Sequence, residues 1–168
     1  MATIEELEKR IEYLEAVEGV RRTVYEYLLM HDIPNVVETL ISLFTEDAIL
    51  DISGYGESLE GRLTGREQIG GLYRRLEEGG IFSGKHSTTN VHIEIDGDEA
   101  TVISYLEVGT GPKPGVAPGG GIYQERLRRE DDGRWRFVHK RIIGTGEQTV
   151  HDAIDHSFPG TGAWRNSG

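Results

Sequence analysis

The chain predicts an α+β fold: a cone-shaped barrel made of a curved antiparallel sheet, with three N-terminal helices covering its concave face. Three observations predict it. Helical spacing of apolar residues is confined to the first half of the chain, apolar spacing switches to every second residue after Gly84, and no βαβ rhythm calls for a parallel sheet. The length of 168 residues suits one domain with a core large enough to stand without staples.

The elements follow in order. Thr3 and Glu6 form a capping box, and Ile4, Leu7, Ile11, Leu14, Val17, Val20, Val24 and Leu28 recur at helical spacing. A long amphipathic helix is therefore expected, in one piece or in two divided at Gly19. Its first half carries a narrow, near-heptad stripe that suits packing on the domain or on a neighbouring subunit. Pro34 disfavours helix at Ile33 and ends it. A second helix is expected from Asn35 to Phe44, a short strand from Ala48 to Ile52, and a third helix opened by a capping box at Thr64 and Glu67. Two alternating runs, His86 to Ile95 and Ala100 to Val108, flank the turn Asp96-Gly97-Asp98 and read as a hairpin. Beyond a Gly/Pro-rich connection from Gly109 to Gly121, Ile122 to Arg129 and Arg134 to Ile143 pair about Asp131-Asp132-Gly133. The expected domain spans 1–145. The tail, 146–168, lacks periodicity and is either disordered or laid on another surface, such as a neighbouring subunit.

Composition excludes several function classes. Eighteen Lys and Arg stand against 29 Asp and Glu, a net charge of -11, so the surface field repels nucleic-acid phosphates and anionic lipid. With no cysteine there is no disulfide, thiolate nucleophile or Cys-ligated metal. No apolar window approaches a membrane span and no basic n-region precedes one, so a cytoplasmic protein is expected. Gly119-Gly120-Gly121 precedes neither a Lys-Ser/Thr pair nor a helix and reads as a sheet connection, not a phosphate loop.

The candidate chemistry lies in the polar residues of the strands and in the break after the first helix. Strict alternation places His86, Thr88, Asn90 and His92 on one face of their strand, and Trp135, Phe137, His139 and Arg141 on one face of the last. Such a polar face is either the solvent side of the sheet or the wall of a partly polar interior. Asp32 follows the first helix, where a carboxylate often serves as a turn residue. Paired with an imidazole, it would fix the ring's tautomer and stabilise the imidazolium, making a general base. Tyr27 is either a core residue with a satisfied hydroxyl or a proton donor. Asp51 reads as the outward residue of a short strand. The spacing of His86, His92 and His139 fits no tight metal motif, and no metal or other cofactor is expected.

Together, Tyr27-Leu-Leu-Met-His-Asp32, Leu43-Phe44-Thr-Glu-Asp47-Ala48, Gly65-Arg66-Glu67-Gln-Ile69, His86-Ser-Thr-Thr-Asn90, Gly120-Gly121-Ile-Tyr123 and Gly133-Arg-Trp135-Arg-Phe137 resemble the SnoaL-like branch of the nuclear transport factor 2-like superfamily. The resemblance spans roughly residues 5 to 145 and is nearest to its scytalone dehydratase, dehydrochlorinase and bile-acid dehydratase members. It implies a cone-shaped barrel with an Asp-His pair in its cavity, Asp32 as the aspartate and His86 as the histidine. It further implies a catalytic role for Tyr27 and a pocket arginine at Arg141. Ser104 and Tyr105 stand where the scytalone enzyme has a second catalytic histidine. The implied substrate contacts are Asn90, Tyr105, Phe44, Trp135, Phe137 and His139.

The function expected is that of a cofactor-independent small-molecule lyase, a dehydratase or an enzyme eliminating HX, acting on an apolar cyclic substrate through the Asp32-His86 base. The alternatives are a polyketide-type cyclase or isomerase using the same base, or a non-catalytic small-ligand-binding protein. Neither nucleic acid nor membrane is an expected partner. A homo-oligomer is expected, and the resemblance favours a trimer.

Overall fold

A computed structural model describes residues 2–57, 59–79, 85–109, 119–146 and 150–159. Helix α1 (Ile4–Asp32) is unbroken over 29 residues and begins with the capping box of Thr3 and Glu6. Gly19 does not divide it. A Cβ there would stand 2.6 Å from Cδ1 of Trp135, so the glycine lets the indole lie against the helix.

The second helix is shorter than expected. α2 is confined to Val37–Ile41, and Phe44 already opens strand β1 (Phe44–Ser53). One apolar run, Leu40 to Phe44, thus serves a helix and then a strand, which periodicity does not divide. Strand β2 (Gly61–Thr64) pairs antiparallel with β1 and was not expected, because its largely exposed residues carry no apolar alternation. Helix α3 (Arg66–Glu78) starts from Gly65 at φ 85°, with no side-chain cap, in place of the expected box at Thr64. The sheet is completed by β3 (Lys85–Asp96), β4 (Glu99–Gly109), β5 (Gly119–Arg129) and β6 (Trp135–Gly144). Most of the Gly/Pro-rich connection, 110–118, lies outside the described residues.

The six strands form one curved, unclosed sheet in the order β2-β1-β6-β5-β4-β3, antiparallel except for β1 beside β6. α1 and α3 pack on its concave face. The core between them includes Val20, Val24, Tyr27, Phe44, Leu50, Ile69, Tyr73 and Phe137.

Two bulges set which side chains reach that core. In β3, Asn90 and Val91 together oppose the single residue Ser104, with Asn90 at φ 53° in the left-handed region that Asn tolerates. The extra residue inverts the alternation. His86 and Thr88 therefore share the concave face with Val91, Ile93 and Ile95, while Asn90 and His92 are exposed on the other. In β6, Val138 is the extra residue between Phe137 and His139. Trp135, Phe137, Lys140 and Ile142 consequently face the helices, and His139 and Arg141 face outward.

The tail returns over the convex face through α4 (Val150–Ala153). Gln124 exchanges side-chain hydrogen bonds of 2.9 and 3.0 Å with the backbone of Asp155, and Phe158 is buried. The described part of the tail thus packs on its own sheet.

Where β1 ends beside the end of β6, Gly54 (φ 78°) and Gly144 touch backbone to backbone, and a Cβ on Gly54 would overlap the carbonyl of Gly144. Gly54→Ala is expected to destabilise the fold by about 1–3 kcal/mol through overpacking and strain at positive φ. Urea denaturation at neutral pH measures it.

Candidate active site

α1 ends in the ion-pairing group on which the site is built. The side chain of Asp32, at its last turn, reaches the start of β3, where it meets His86 in two ways. The backbone N–H of His86 donates to Asp32 Oδ2 at 3.0 Å, and its ring Nδ1 lies 2.7 Å from Oδ1. A carboxylate at that distance sets Nδ1 as the protonated nitrogen and leaves the lone pair on Nε2. The two side chains are 22% and 15% exposed, which screens the pair from bulk water without sealing it. Chemically this is an oriented imidazole base with a built-in counter-charge.

Behind the pair stands a chain of aromatic rings. His31 packs against His86 at a centroid distance of 5.0 Å and edge-on against Tyr27 at 4.7 Å. Tyr27 is fully buried; its hydroxyl is 2.7 Å from that of Tyr73, and its ring also contacts those of Phe44, Tyr123 and Phe137. Tyr27 is thus joined to His86 through His31, not by direct contact. Burial holds its hydroxyl well above the ordinary phenol range and therefore protonated. Burial also holds His31 well below its ordinary value, with the nearby His86 and Lys140 adding to the effect.

One feature of the interior escaped sequence reasoning. Lys140 and Glu125, both without solvent exposure, form an ion pair on the concave face. The Lys140 ammonium stands over the rings of Tyr123 at 3.6 Å and Tyr27 at 3.9 Å. Desolvation pushes the Lys140 pKa down and the Glu125 pKa up, each opposed by the attraction of its partner. Strict alternation had put Lys140 on the face opposite Phe137; the bulge at Val138 was the missing signal, and sequence gave none.

Other expected site residues lie elsewhere. Arg141 is paired with Asp155 on the convex face, so it is not gathered with His86. His139 is on that face too, with Nε2 2.7 Å from Asp51 and its ring packed on Phe158. Tyr105 pairs in register with Ile122 on the convex side, and Asn90 is exposed at the bulge. Phe44 and Phe137 are buried beside Tyr27, and Trp135 is buried against Gly19.

Among the described residues two carboxylate-imidazole pairs are part-buried, Asp32–His86 and Asp51–His139, and they differ in charge balance; a third, His92–Glu94, is more exposed. Asp51 is also gripped by Arg62 through two hydrogen bonds of 2.7 and 2.8 Å, which lower its pKa. Its negative charge is largely spent on that guanidinium. Among the described residues no Arg or Lys pairs with Asp32, whose charge acts on the imidazole. No grouping of three or more His, Asp or Glu among the described residues could hold a metal ion, and no helix there is long and apolar enough to cross a membrane.

A curved, open sheet wrapped around helices, with polar groups on its concave wall, defines the α+β fold of the nuclear transport factor 2-like superfamily. Residues 12–141 match the SnoaL-like domain, and the chain belongs to that family. Its backbone is similar to a nuclear transport factor 2-like protein with a cystatin-like fold from Novosphingobium aromaticivorans, at 21% identity over 92% of this chain and 99% of that one (TM-score 0.74). It is similar also to a protein provisionally named a scytalone dehydratase from the same organism, at 24% identity over 79% and 86% (TM-score 0.63). LinA is similar at 17% identity over 84% and 97% (TM-score 0.64). No curated protein matches the sequence. The family includes dehydratases, isomerases and cyclases alongside proteins of unknown function.

Two outcomes follow from the buried groups. Lys140→Met leaves Glu125 as an uncompensated buried charge and should cost about 3–5 kcal/mol, whereas Lys140→Met combined with Glu125→Leu should recover most of it. Denaturant titration of the single and double variants makes the comparison. His31 is neutral in the folded state but takes up a proton below about pH 6.5 once unfolded. The unfolded state then binds more protons, so stability falls as pH drops from 6.5, by up to about 1.4 kcal/mol per pH unit. His31→Asn should remove that part of the slope in urea titrations between neutral and mildly acidic pH.

Proposed function

We propose that this protein is a cofactor-independent lyase acting on small, mostly apolar cyclic molecules, with His86 as general base and Asp32 as its orienting counter-charge. The observation that carries the reading is the 2.7 Å contact between Asp32 and His86 Nδ1, which leaves Nε2 as the basic nitrogen. Nε2 takes a proton from the carbon beside a carbonyl, and the C–H electron pair passes into an enolate. Collapse of the enolate forms the C=C bond and breaks the bond from the adjacent carbon to its leaving group. A departing hydroxyl takes the proton from the imidazolium and leaves as water, which restores the base; a departing halide leaves as the anion while the proton passes to solvent.

Tyr27, kept protonated by burial and held by the Tyr73 hydroxyl, acts as a positioning residue that supports the imidazole from behind through His31. Arg141, paired with Asp155 on the convex face, has no part in this reading. Phe44 and Phe137, both fully buried, form the apolar core behind the aromatic wall of the site.

The test uses a panel of cyclic β-hydroxy ketones, with enone absorbance reporting elimination and solvent-deuterium incorporation reporting proton removal. The expected result is turnover that falls about 10²- to 10⁴-fold in His86→Ala, with a comparable or smaller loss in Asp32→Asn and circular dichroism unchanged. Deuterium incorporation without enone would indicate an isomerase or cyclase using the same base. Binding of panel members with neither signal, or turnover undiminished in His86→Ala, would overturn the reading.

A further inference from the structure

Helix α1 is apolar on two opposite sides, and only one of them is covered. Thr23, Tyr27 and Val20 face the core. On the far side lie Ile4, Leu7, Ile11 and Leu14, then Tyr25, Leu29 and Ile33, all between 39% and 76% exposed. At about 100° per residue these seven positions fall within an arc of roughly 100°. Every residue from Ala2 to Glu15 is exposed, so the first half of the helix projects past the body of the domain as an arm. A water-facing row of this length along a helix is an interface in want of a partner.

We propose that the partner is a second copy of this chain, docked antiparallel along the outer face of α1 across a two-fold axis near Gly19 and Val20. Charge selects both the occupant and the direction. The two apolar groups are separated on the same arc by Glu18 and Arg21, which bond to each other at 2.7 Å within the chain. In the antiparallel register that sets Leu14 against the partner's Tyr25, Glu18 faces the partner's Arg21 and Arg21 faces the partner's Glu18. Glu15 at the edge of the arc then lies beside the partner's Arg22. A parallel pairing would stack Glu18 on Glu18 and Arg21 on Arg21 at the centre, like charge against like.

The arrangement is self-complementary, as a two-fold interface must be. Each arm, with no domain behind it, lies over the segment from Tyr25 to Ile33 of the other copy, whose own domain sits on the opposite side of its helix. Covering the seven side chains removes on the order of 700 Å² per protomer, about 1,400 Å² in total, within the range of stable interfaces. A closed pair of this kind replaces the trimer that the family resemblance implies.

Sedimentation velocity and light scattering on the full chain test the pairing, with circular dichroism as the control for folding. The expected species is a dimer. Leu14→Glu and Arg21→Glu should each weaken association at least tenfold, and the swapped variant E18R/R21E should restore it. Because the chain has no cysteine, direction is read by thiol cross-linking. L14C/Y25C should link covalently through a short bismaleimide, whereas L14C alone should not, since the two copies of residue 14 stand about 16 Å apart along the antiparallel pair. A monomer at every concentration, a dimer indifferent to R21E, or cross-linking of L14C alone as efficient as that of the pair would overturn the proposal.

Discussion

A charge pair in the core ties the first helix to the sheet, and neither member can be lost alone. Lys140 and Glu125 have no solvent contact, and removing each from water costs several kcal/mol, which their mutual attraction offsets only while both are present. The faces of Tyr27 and Tyr123 close over the ammonium and add the negative potential of two ring systems. Tyr27 belongs to α1 and Tyr123 to β5, so one cation ties helix to sheet. Five residues beyond Tyr27, the same helix delivers Asp32 to β3. The carboxylate is thus carried on the helix whose Tyr27 closes over the buried ammonium.

That tie between distant elements explains which parts of the molecule were legible in its sequence. The capping box at Thr3, the β3–β4 hairpin about Gly97 and the last two strands followed from local rules, because each is settled by residues adjacent in the chain. The contact of Asp32 with His86 spans 54 positions; it was suggested by family resemblance, not by spacing. What sequence could not give were the two bulges. Alternation assigns faces only while the register holds, and one extra residue at Asn90 or Val138 inverts everything downstream. Hence Lys140 moved inward, His139 and Arg141 outward, and His92 away from the face of His86.

The bulges also account for the two part-buried imidazole-carboxylate pairs, Asp32–His86 and Asp51–His139, standing on opposite sides of one sheet. Beyond Val138, His139 and Arg141 meet the convex face, where Asp51, Arg62 and Asp155 already balance charge. Acids and bases there neutralise one another and fix the returning tail. On the concave side Lys140 is matched by Glu125, whereas among the described residues Asp32 pairs with no Arg or Lys and meets the backbone N–H and the ring of His86 instead.

Asp32 has a second effect that a side-chain pair alone would lack. Its carboxylate accepts the backbone N–H of His86 as well as the ring N–H, so it fixes the start of β3 and the orientation of the imidazole together. β3 is an edge strand with β4 on one side only, and the N–H that points away from the ladder would otherwise be left to water. The acid therefore caps an exposed edge and orients a base with the same two oxygens. Because His31 packs against the other side of that imidazole and Tyr27 against His31, the ring is confined between a charged clamp and an aromatic wall. An imidazole confined in this way has little orientational freedom left to lose on meeting a ligand, and that preorganisation is what the proposed proton abstraction would use.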